Sequence, residues 1–220
     1  AGALETIDVL INEGSAGSAW SGGALWADLE VQEKIRAFVR TGGGLLGIGD
    51  PSAYETSCRY FQLADVLGVD KETGRTLNSA PAKTVPAENH FLSHLPVPAF
   101  ETFVFPAGAT AVVLAAHKKH VLLAANETGV GRAVYLSRME SAPEQARALY
   151  RILGWLARKE NELQKGCSEN PAVDVAFFAG VGKWIAVNNS SAPQQTVIYD
   201  LAGKKNLLSL QPYELKAGAI

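Results

Sequence analysis

Asp50 and Ser52, separated by Pro51 and preceded by Gly42-Gly43-Gly44-Leu45-Leu46-Gly47-Ile48-Gly49, are residues whose types and placing suit chemistry. A carboxylate and a hydroxyl at the carboxyl end of a buried strand stand where open α/β sheets bind ligands. A second stretch, Asn12-Glu13-Gly14-Ser15-Ala16-Gly17-Ser18-Ala19-Trp20-Ser21-Gly22-Gly23, gathers mostly small residues. Small side chains let backbone N–H groups approach an anion, as phosphate-cradling loops do, although the Lys of a P-loop and the full GxGxxG spacing are missing. The same loop also reads as a flexible connection packed under Trp20, and its composition does not choose between the two. The candidate positions are therefore Glu13, Gly14, Ser15, Ala16, Gly17 and Ser18, with Asp50 and Ser52 after them.

Other reactive residue types carry less. His90 and His94 lie four apart and would meet a metal on a helix, but Phe91, Leu92 and Pro96 read as a loop laid against the core. Zinc sites draw on further ligands, none stands nearby, and no metal is expected. His117 and His120 flank Lys118-Lys119 and read as solvated turn residues. Cys58 and Cys167 lie far apart in a chain large enough to need no staple, which points to free thiols in a reducing cytoplasm. No His is spaced to activate Cys58, so it is not expected to be a nucleophile.

The elements that must position the candidates follow from periodicity. Ile7-Asp8-Val9-Leu10-Ile11 reads as a first strand. Val31, Ile35, Phe38 and Val39 recur at helical spacing, with Glu30, Glu33, Lys34 and Arg36 left for the solvent face. Gly42-Gly43-Gly44 ends that helix, because the residue past the last turn usually needs positive φ. Leu45 to Ile48 then reads as a strand covered on both faces, which completes a βαβ unit. A second helical patch, Tyr60, Phe61, Ala64 and Leu67, stops at Gly68, and residues 70–89 read as an insertion or flap. Ala111–Ala115 and Val121–Ala124 read as a hairpin, and Ala133–Ser137 as another buried strand. Ser141 and Glu144 fit a capping box before a helix with Ala146, Leu149, Leu153 and Leu156 on its apolar stripe, ending near Lys159. Residues 161–171 read as a linker. Val173, Val175 and Phe177, Trp184 and Ala186, Val197 and Tyr199, and Leu208 and Leu210 then recur at period two, giving four or five short antiparallel strands. The expected domains are 1–162 and 171–220.

Composition bounds the partners. With 47% hydrophobic and 19% charged residues among 220, the chain reads as ordinary globular protein. A net charge of -2 supplies no broad basic field, so no nucleic acid is expected. No apolar run approaches the roughly 20 residues of a membrane helix, so no membrane partner is expected and a soluble protein is. The chain begins without Met and enters a strand within a few residues, which leaves no room for a signal peptide and fits a piece of something longer.

A loop after the strand at Leu45 invites comparison with class I glutamine amidotransferases, which place a Cys at that turn and a His-x-Glu after a later strand. Asp50 and Pro51 occupy the turn, Cys58 comes several residues too late, and Ser137-Arg138-Met139-Glu140 holds no His. A functioning hydrolase of that type is therefore excluded by its missing Cys–His pair.

Asp8-Val9-Leu10-Ile11-Asn12 with Gly14, Ala16-Gly17 and Ser21-Gly22-Gly23, then Gly42-Gly43-Gly44 with Gly47-Ile48-Gly49 and Pro51-Ser52-Ala53, and later Gly131-Arg132 with Val134-Tyr135-Leu136-Ser137, together resemble the middle domain of the lacto-N-biose phosphorylase family. Gly182-Lys183, Val187-Asn188-Asn189-Ser190 and Leu210-Gln211-Pro212-Tyr213 resemble that family's small C-terminal β domain. The resemblance implies an α/β fold: a class I glutamine-amidotransferase-like (flavodoxin-like, Rossmann-like) three-layer domain without the amidotransferase residues, followed by a small antiparallel β domain. It implies a cytoplasmic enzyme that cleaves galactosyl-β-1,3-N-acetylhexosamine with inorganic phosphate to α-galactose 1-phosphate, using no metal and no organic cofactor. It places the catalytic acid in an N-terminal TIM barrel absent from these residues, so this chain carries no catalytic residue and is expected to be inactive alone. The implied partners are that barrel, phosphate and the galactoside disaccharide, with a homodimer left open. The alternative is a free-standing interaction or sugar-binding module with a degenerate amidotransferase-like fold.

Overall fold

The computed structural model describes residues 2–56, 59–74, 90–93, 95–108, 110–163, 165–170 and 172–220. Cys58, His94 and most of the expected flap lie outside the described residues. The chain divides into two units, Ala1–Ser141 with Ala148–Arg158, and Ala142–Arg147 with Lys159–Ile220.

The first unit starts with β1 (Val9–Gly14), α1 (Leu29–Arg40) and β2 (Gly44–Gly49). Asp28 caps α1 by accepting the Glu30 N–H at 2.8 Å, and at the other end the Gly42 and Gly43 N–H groups donate to the Val39 and Phe38 carbonyls, with φ 122° at Gly42. That reverse pattern of bonds closes the helix and turns the chain straight into β2. There follow α2 (Ala64–Leu67), β3 (Val69–Lys71), β4 (Val104–Pro106), β5 (Val112–His117), β6 (His120–Thr128), β7 (Gly131–Leu136) and α3 (Pro143–Leu156). Five strands form one sheet in the order β1-β2-β7-β6-β5, while β3 and β4 pair apart from it. Alternate residues of the large sheet enter two apolar clusters, as a strand period of two requires. Leu45, Ala133 and Tyr135 pack with Ile35 and Val39 of α1. Leu46, Val134 and Leu136 pack with Ile152, Trp155 and Leu156 of α3.

The flavodoxin-like three-layer domain expected from the resemblance is not formed. Such a domain carries a parallel sheet with crossover helices wound on both faces. Here β1, β2 and β7 are parallel but β6 and β5 run antiparallel. The cause is local: two-residue connections join β5 to β6 and β6 to β7, and so short a link cannot carry a parallel crossover. Among the described residues each face receives only one helix longer than a turn, α1 or α3. The chain as a whole is mostly β, a mixed sheet with several small antiparallel ones, so the amidotransferase-like and Rossmann-like descriptions fall with it.

The second unit holds the first residues of α3, α4 (Glu160–Leu163), β8 (Cys167–Ser168), β9 (Val173–Phe178), β10 (Lys183–Asn188), β11 (Gln194–Tyr199), β12 (Lys205–Leu210) and β13 (Leu215–Ala219). Its strands form two three-stranded sheets, β13-β10-β9 and β12-β11-β8. Val173, Ala186 and Leu210 make its small core. Asn188 is fully buried, and its amide spans the Ala192 and Gln211 carbonyls at 2.8 Å each, satisfying a polar group that would otherwise be costly there. Cys167 donates its thiol to the Leu163 carbonyl.

Two side chains differ from their expected placing. Arg36, assigned to the solvent face, is 7% exposed. It reaches Asp65 at 2.9 Å, Glu33 at 2.8 Å and the Gln62 carbonyl at 2.6 Å. Burial works against its charge, but the Asp65 and Glu33 carboxylates outweigh it and raise the guanidinium pKa. His120, read as a turn residue, is buried with its ring 4.8 Å from that of Phe103 and 5.5 Å from that of Phe105, and its Nδ1 accepts the Phe103 N–H.

Arg36→Ala strands the Gln62 carbonyl and the facing carboxylates, so a loss of about 3 kcal/mol is expected in urea denaturation. Lys34→Ala, which breaks the exposed pair with Glu30, should leave the denaturation midpoint essentially unchanged. Burial holds His120 below its ordinary pKa of 6.5, with Glu101 opposing and Lys119, Lys118 and His117 adding to the shift. Just below that value the unfolded chain binds a proton that the folded chain refuses. This contribution to stability is therefore complete above pH 6.5 and falls as the pH drops, by at most about 1.4 kcal/mol per pH unit. His90 is shifted the same way. His120→Gln should flatten the decline between pH 7 and 5 relative to the parent chain, read from denaturation midpoints across that range.

Candidate functional site

Parallel pairing of β1 with β2 and of β2 with β7 brings three strand carboxyl ends to one edge. They frame a cleft of about 390 Å³. Glu13, Gly14 and Ser15 line it from β1, and Gly49 and Asp50 from β2. Tyr135, Ser137 and Arg138 line it from β7, while Lys71 and the segment Phe100–Phe103 enter from β3 and from the approach to β4.

The turn after β2 is fixed by close backbone contact. Gly49 has φ 77°, and a Cβ there would stand 3.0 Å from the Gly14 carbonyl oxygen. That same oxygen accepts the Asp50 N–H at 2.9 Å, tying the ends of β1 and β2 together. The Asn12 side chain adds a clasp, accepting the Ser52 N–H at 2.6 Å and donating to the Ser21 carbonyl at 3.1 Å. Ser52 itself is fully buried at φ 51°, its Oγ accepting the Leu63 N–H and its carbonyl accepting the Gln62 N–H. It holds the turn and does not line the cleft.

The candidates in the loop divide. Glu13, Gly14 and Ser15 face the cleft, whereas Ala16, Gly17 and Ser18 are not among its walls. The Ala16 N–H points to Asp50 Oδ2 at 3.4 Å, and Ser18 Oγ donates to the Ser15 carbonyl and accepts the Ser21 N–H. Trp20 does not cover this loop; it stands 85% exposed, and Trp26 instead donates to the Ser21 carbonyl from the core.

Charge in the cleft is organised around Asp50, whose Oδ1 meets Lys71 Nζ at 2.6 Å. Lys71 also lies 5.7 Å from the centre of the Tyr60 ring. Burial pushes the Tyr60 and Tyr135 phenols up, and the Asp50 charge adds to both, so neither ionises in the neutral range. Arg138 stacks 5.0 Å over the Phe100 ring and pairs with Glu140. Ser137 is 3% exposed, and among the described residues its Oγ has no hydrogen-bond partner.

Tyr135, Ser137, Arg138 and Lys71 are the site residues that the sequence reading passes over. The first three had a legible signal, because Ser137-Arg138-Met139-Glu140 leaves a buried strand as Asp50-Pro51-Ser52 does. Lys71 had none, since its arrival depends on the pairing of β3 with β4. His90 Nδ1 accepts the Leu92 N–H and its ring rests on Trp155 at 5.3 Å. Among the described residues no three His, Cys, Asp or Glu side chains gather as a metal site, and no helix is long and apolar enough to cross a membrane.

Residues 1–161 match the lacto-N-biose phosphorylase central domain and residues 166–217 the lacto-N-biose phosphorylase C-terminal domain. A 1,3-β-galactosyl-N-acetylhexosamine phosphorylase of Lachnoclostridium phytofermentans is 38% identical over 203 residues, covering 89% of this chain and 28% of that protein. The enzyme of the same description from Bifidobacterium longum is 31% identical, covering 87% of this chain and 30% of its own length. Among solved structures, a β-galactosidase from Rahnella sp. R3 aligns with 97% of this chain and 32% of its own, at 15% identity and a TM-score of 0.44. The chain thus spans under a third of the length of the curated relatives it matches. With both matches together taking in nearly every residue, the chain belongs to the lacto-N-biose phosphorylase family.

Proposed function

We propose that this chain is the central and C-terminal part of a galactoside phosphorylase that cleaves galactosyl-β-1,3-N-acetylhexosamine with inorganic phosphate to α-galactose 1-phosphate. In that reaction a phosphate oxygen bonds to the anomeric carbon, the glycosidic C–O bond breaks, and the released hexosamine oxygen takes a proton from a general acid. The acid belongs to an N-terminal TIM barrel that these residues do not include. This part completes the substrate-binding side and is inactive alone, working in the cytoplasm without metal or organic cofactor. The observation that carries the reading is the pair of domain matches over 1–161 and 166–217 in a chain that covers only 28–30% of its phosphorylase relatives.

Within this reading Glu13, Gly14, Ser15 and Asp50 border the substrate from the cleft. Ser52 acts through the turn it holds, and Ala16, Gly17 and Ser18 lie beside phosphate with the Gly17 N–H as the donor, since the Ala16 N–H points to Asp50 Oδ2 and the Ser18 N–H donates to the Ser15 carbonyl. A Cβ on Gly17 meets nothing within 4 Å, so substitution there alters φ preference without a clash.

The purified chain should release no galactose 1-phosphate from galactosyl-β-1,3-N-acetylhexosamine and phosphate, whereas the longer protein containing it should. Release by the chain alone overturns the fragment reading, and no release by the longer protein overturns the activity. In the longer protein, Gly17→Val should raise KM for phosphate with little change in kcat, the signature of a group used equally in ground and transition states. Because φ is 74° at Gly17, the branched residue should cost about 1–2 kcal/mol of stability. An unchanged phosphate KM with that loss of stability would make the loop purely structural.

A further inference from the structure

Away from the strand-end cleft, one face of α1 carries Leu29, Glu33, Arg36 and Arg40, spaced three or four apart as a helical stripe requires. Asp65 of α2 and Arg59 from the segment before it close this face into an open cavity of about 440 Å³. None of these residues borders the cleft described above. Three guanidinium groups thus share a small space with two carboxylates, a surplus of one positive charge.

Both carboxylates are spent on the innermost arginine. Arg36 places its N–H donors on Asp65, Glu33, the Gln32 side chain and the Gln62 carbonyl, and none is left over. Arg59 then reaches Asp65 Oδ1 only at 3.4 Å, and Arg40 stands 3.9 Å from Oδ2, beyond a hydrogen bond. Among the described residues no other carboxylate pairs with either of them. Their side chains are 52% and 41% exposed for Arg40 and Arg59, and both end within 4 Å of the same carboxylate. Two guanidinium groups with unspent donors therefore converge on one opening. Their mutual repulsion is relieved only in part by an Asp65 that Arg36 already holds, and a further anion between them would complete the balance.

We infer that Arg40 and Arg59 form a docking site for an acidic side chain of a protein partner, whose carboxylate lies between the two guanidinium groups. The charge count chooses the group: one carboxylate neutralises the surplus, whereas a phosphate dianion would overshoot it beside Asp65 and Glu33. The geometry agrees, because a guanidinium fork meets a planar carboxylate with two parallel hydrogen bonds, and arginine is the basic residue enriched at interfaces. The cavity is larger than one carboxylate needs, and Leu29 lines it while 71% exposed. The docking segment therefore carries an apolar residue beside its acidic one, which covers Leu29 and keeps water from the ion pairs. This site stands independently of the phosphorylase reading, since neither its residues nor its ligand enters that reaction.

The test uses the 220-residue chain labelled with nitrogen-15 and titrated in low salt. The probe is a short capped peptide carrying one glutamate beside one leucine, and its control replaces the glutamate by glutamine. The glutamate peptide should shift the amide signals of Arg40 and Arg59 saturably, the control should not, and the binding should weaken as salt is added. Arg40→Ala and Arg59→Ala should each weaken it by about fivefold, the worth of one exposed ion pair, and the double variant by over about tenfold. Arg40→Ala should keep the thermal midpoint of the parent chain, because Asp65 retains its bonds to Arg36. Absence of saturable binding, equal binding of the glutamine peptide, or binding untouched by both substitutions overturns the inference. So does inorganic phosphate that binds at Arg40 and Arg59 more tightly than the peptide, which would make the site one for a free anion. A lowered midpoint in Arg40→Ala with peptide binding intact would likewise overturn it, leaving the arginines as structural partners of Asp65.

Discussion

The parallel register of β2 between β1 and β7 is the constraint on which the rest of the first unit depends. It aligns three strand ends, so Gly14, Asp50 and Ser137 meet although they are scattered through the sequence. The packing leaves no room for a side chain at Gly44 or Gly47 of β2. A Cβ on Gly44 would fall 2.7 Å from Leu156 Cβ, and one on Gly47 would fall 2.7 Å from Pro51 Cγ. Interiors packed to crystal density do not absorb such intrusions. The small residues of β2 thus set how closely α3 and the Pro51 turn approach, and through that turn they set where Asp50 meets Lys71.

The clasp at Asn12 shows how this constraint reaches the loops. One amide joins the turn after β2 to the loop after β1, donating on one side and accepting on the other. With Asp50 held from behind by the Gly14 carbonyl, the carboxylate has little freedom to leave Lys71. A half-buried ion pair fixed in this manner orients its neighbours more than it stabilises the fold.

Much of the first unit was legible in the sequence. The helix end at Gly42, the buried strand after it and the hairpin across Lys118-Lys119 follow from local pattern, because each depends on residues close in sequence. The hairpin also carried a consequence that the flavodoxin-like expectation ignored: a two-residue link forces antiparallel pairing, so an all-parallel sheet was already excluded by residues 111–124. Apolar runs such as Val121–Ala125 are covered on both faces in either direction, and composition alone does not give the direction. Arg36 was misplaced because charge suggests solvent, while its burial depends on Asp65, which arrives from another helix. His120 failed for the same reason, since the two Phe rings around it come from the strand approach at residues 103–105. In the site, Asp50 and Glu13 were legible as strand exits, whereas Lys71 required a tertiary pairing that no local spacing announces.

The strand order also leaves the large sheet with two unlike margins. β5 closes one of them with register shifts between Val113 and Ala116, irregularities that twist a margin away from further pairing. β1 closes the other with an unbroken run of partners to β2 and, among the described residues, no strand on its far side. Ile11 on it is 46% exposed. The sheet is therefore polar in its capacity to grow: strand addition, whether by a legitimate neighbour or by a misassembled copy at high concentration, is directed to β1, and the acidic residues Asp8 and Glu13 near its two ends are the gatekeepers that discourage the second.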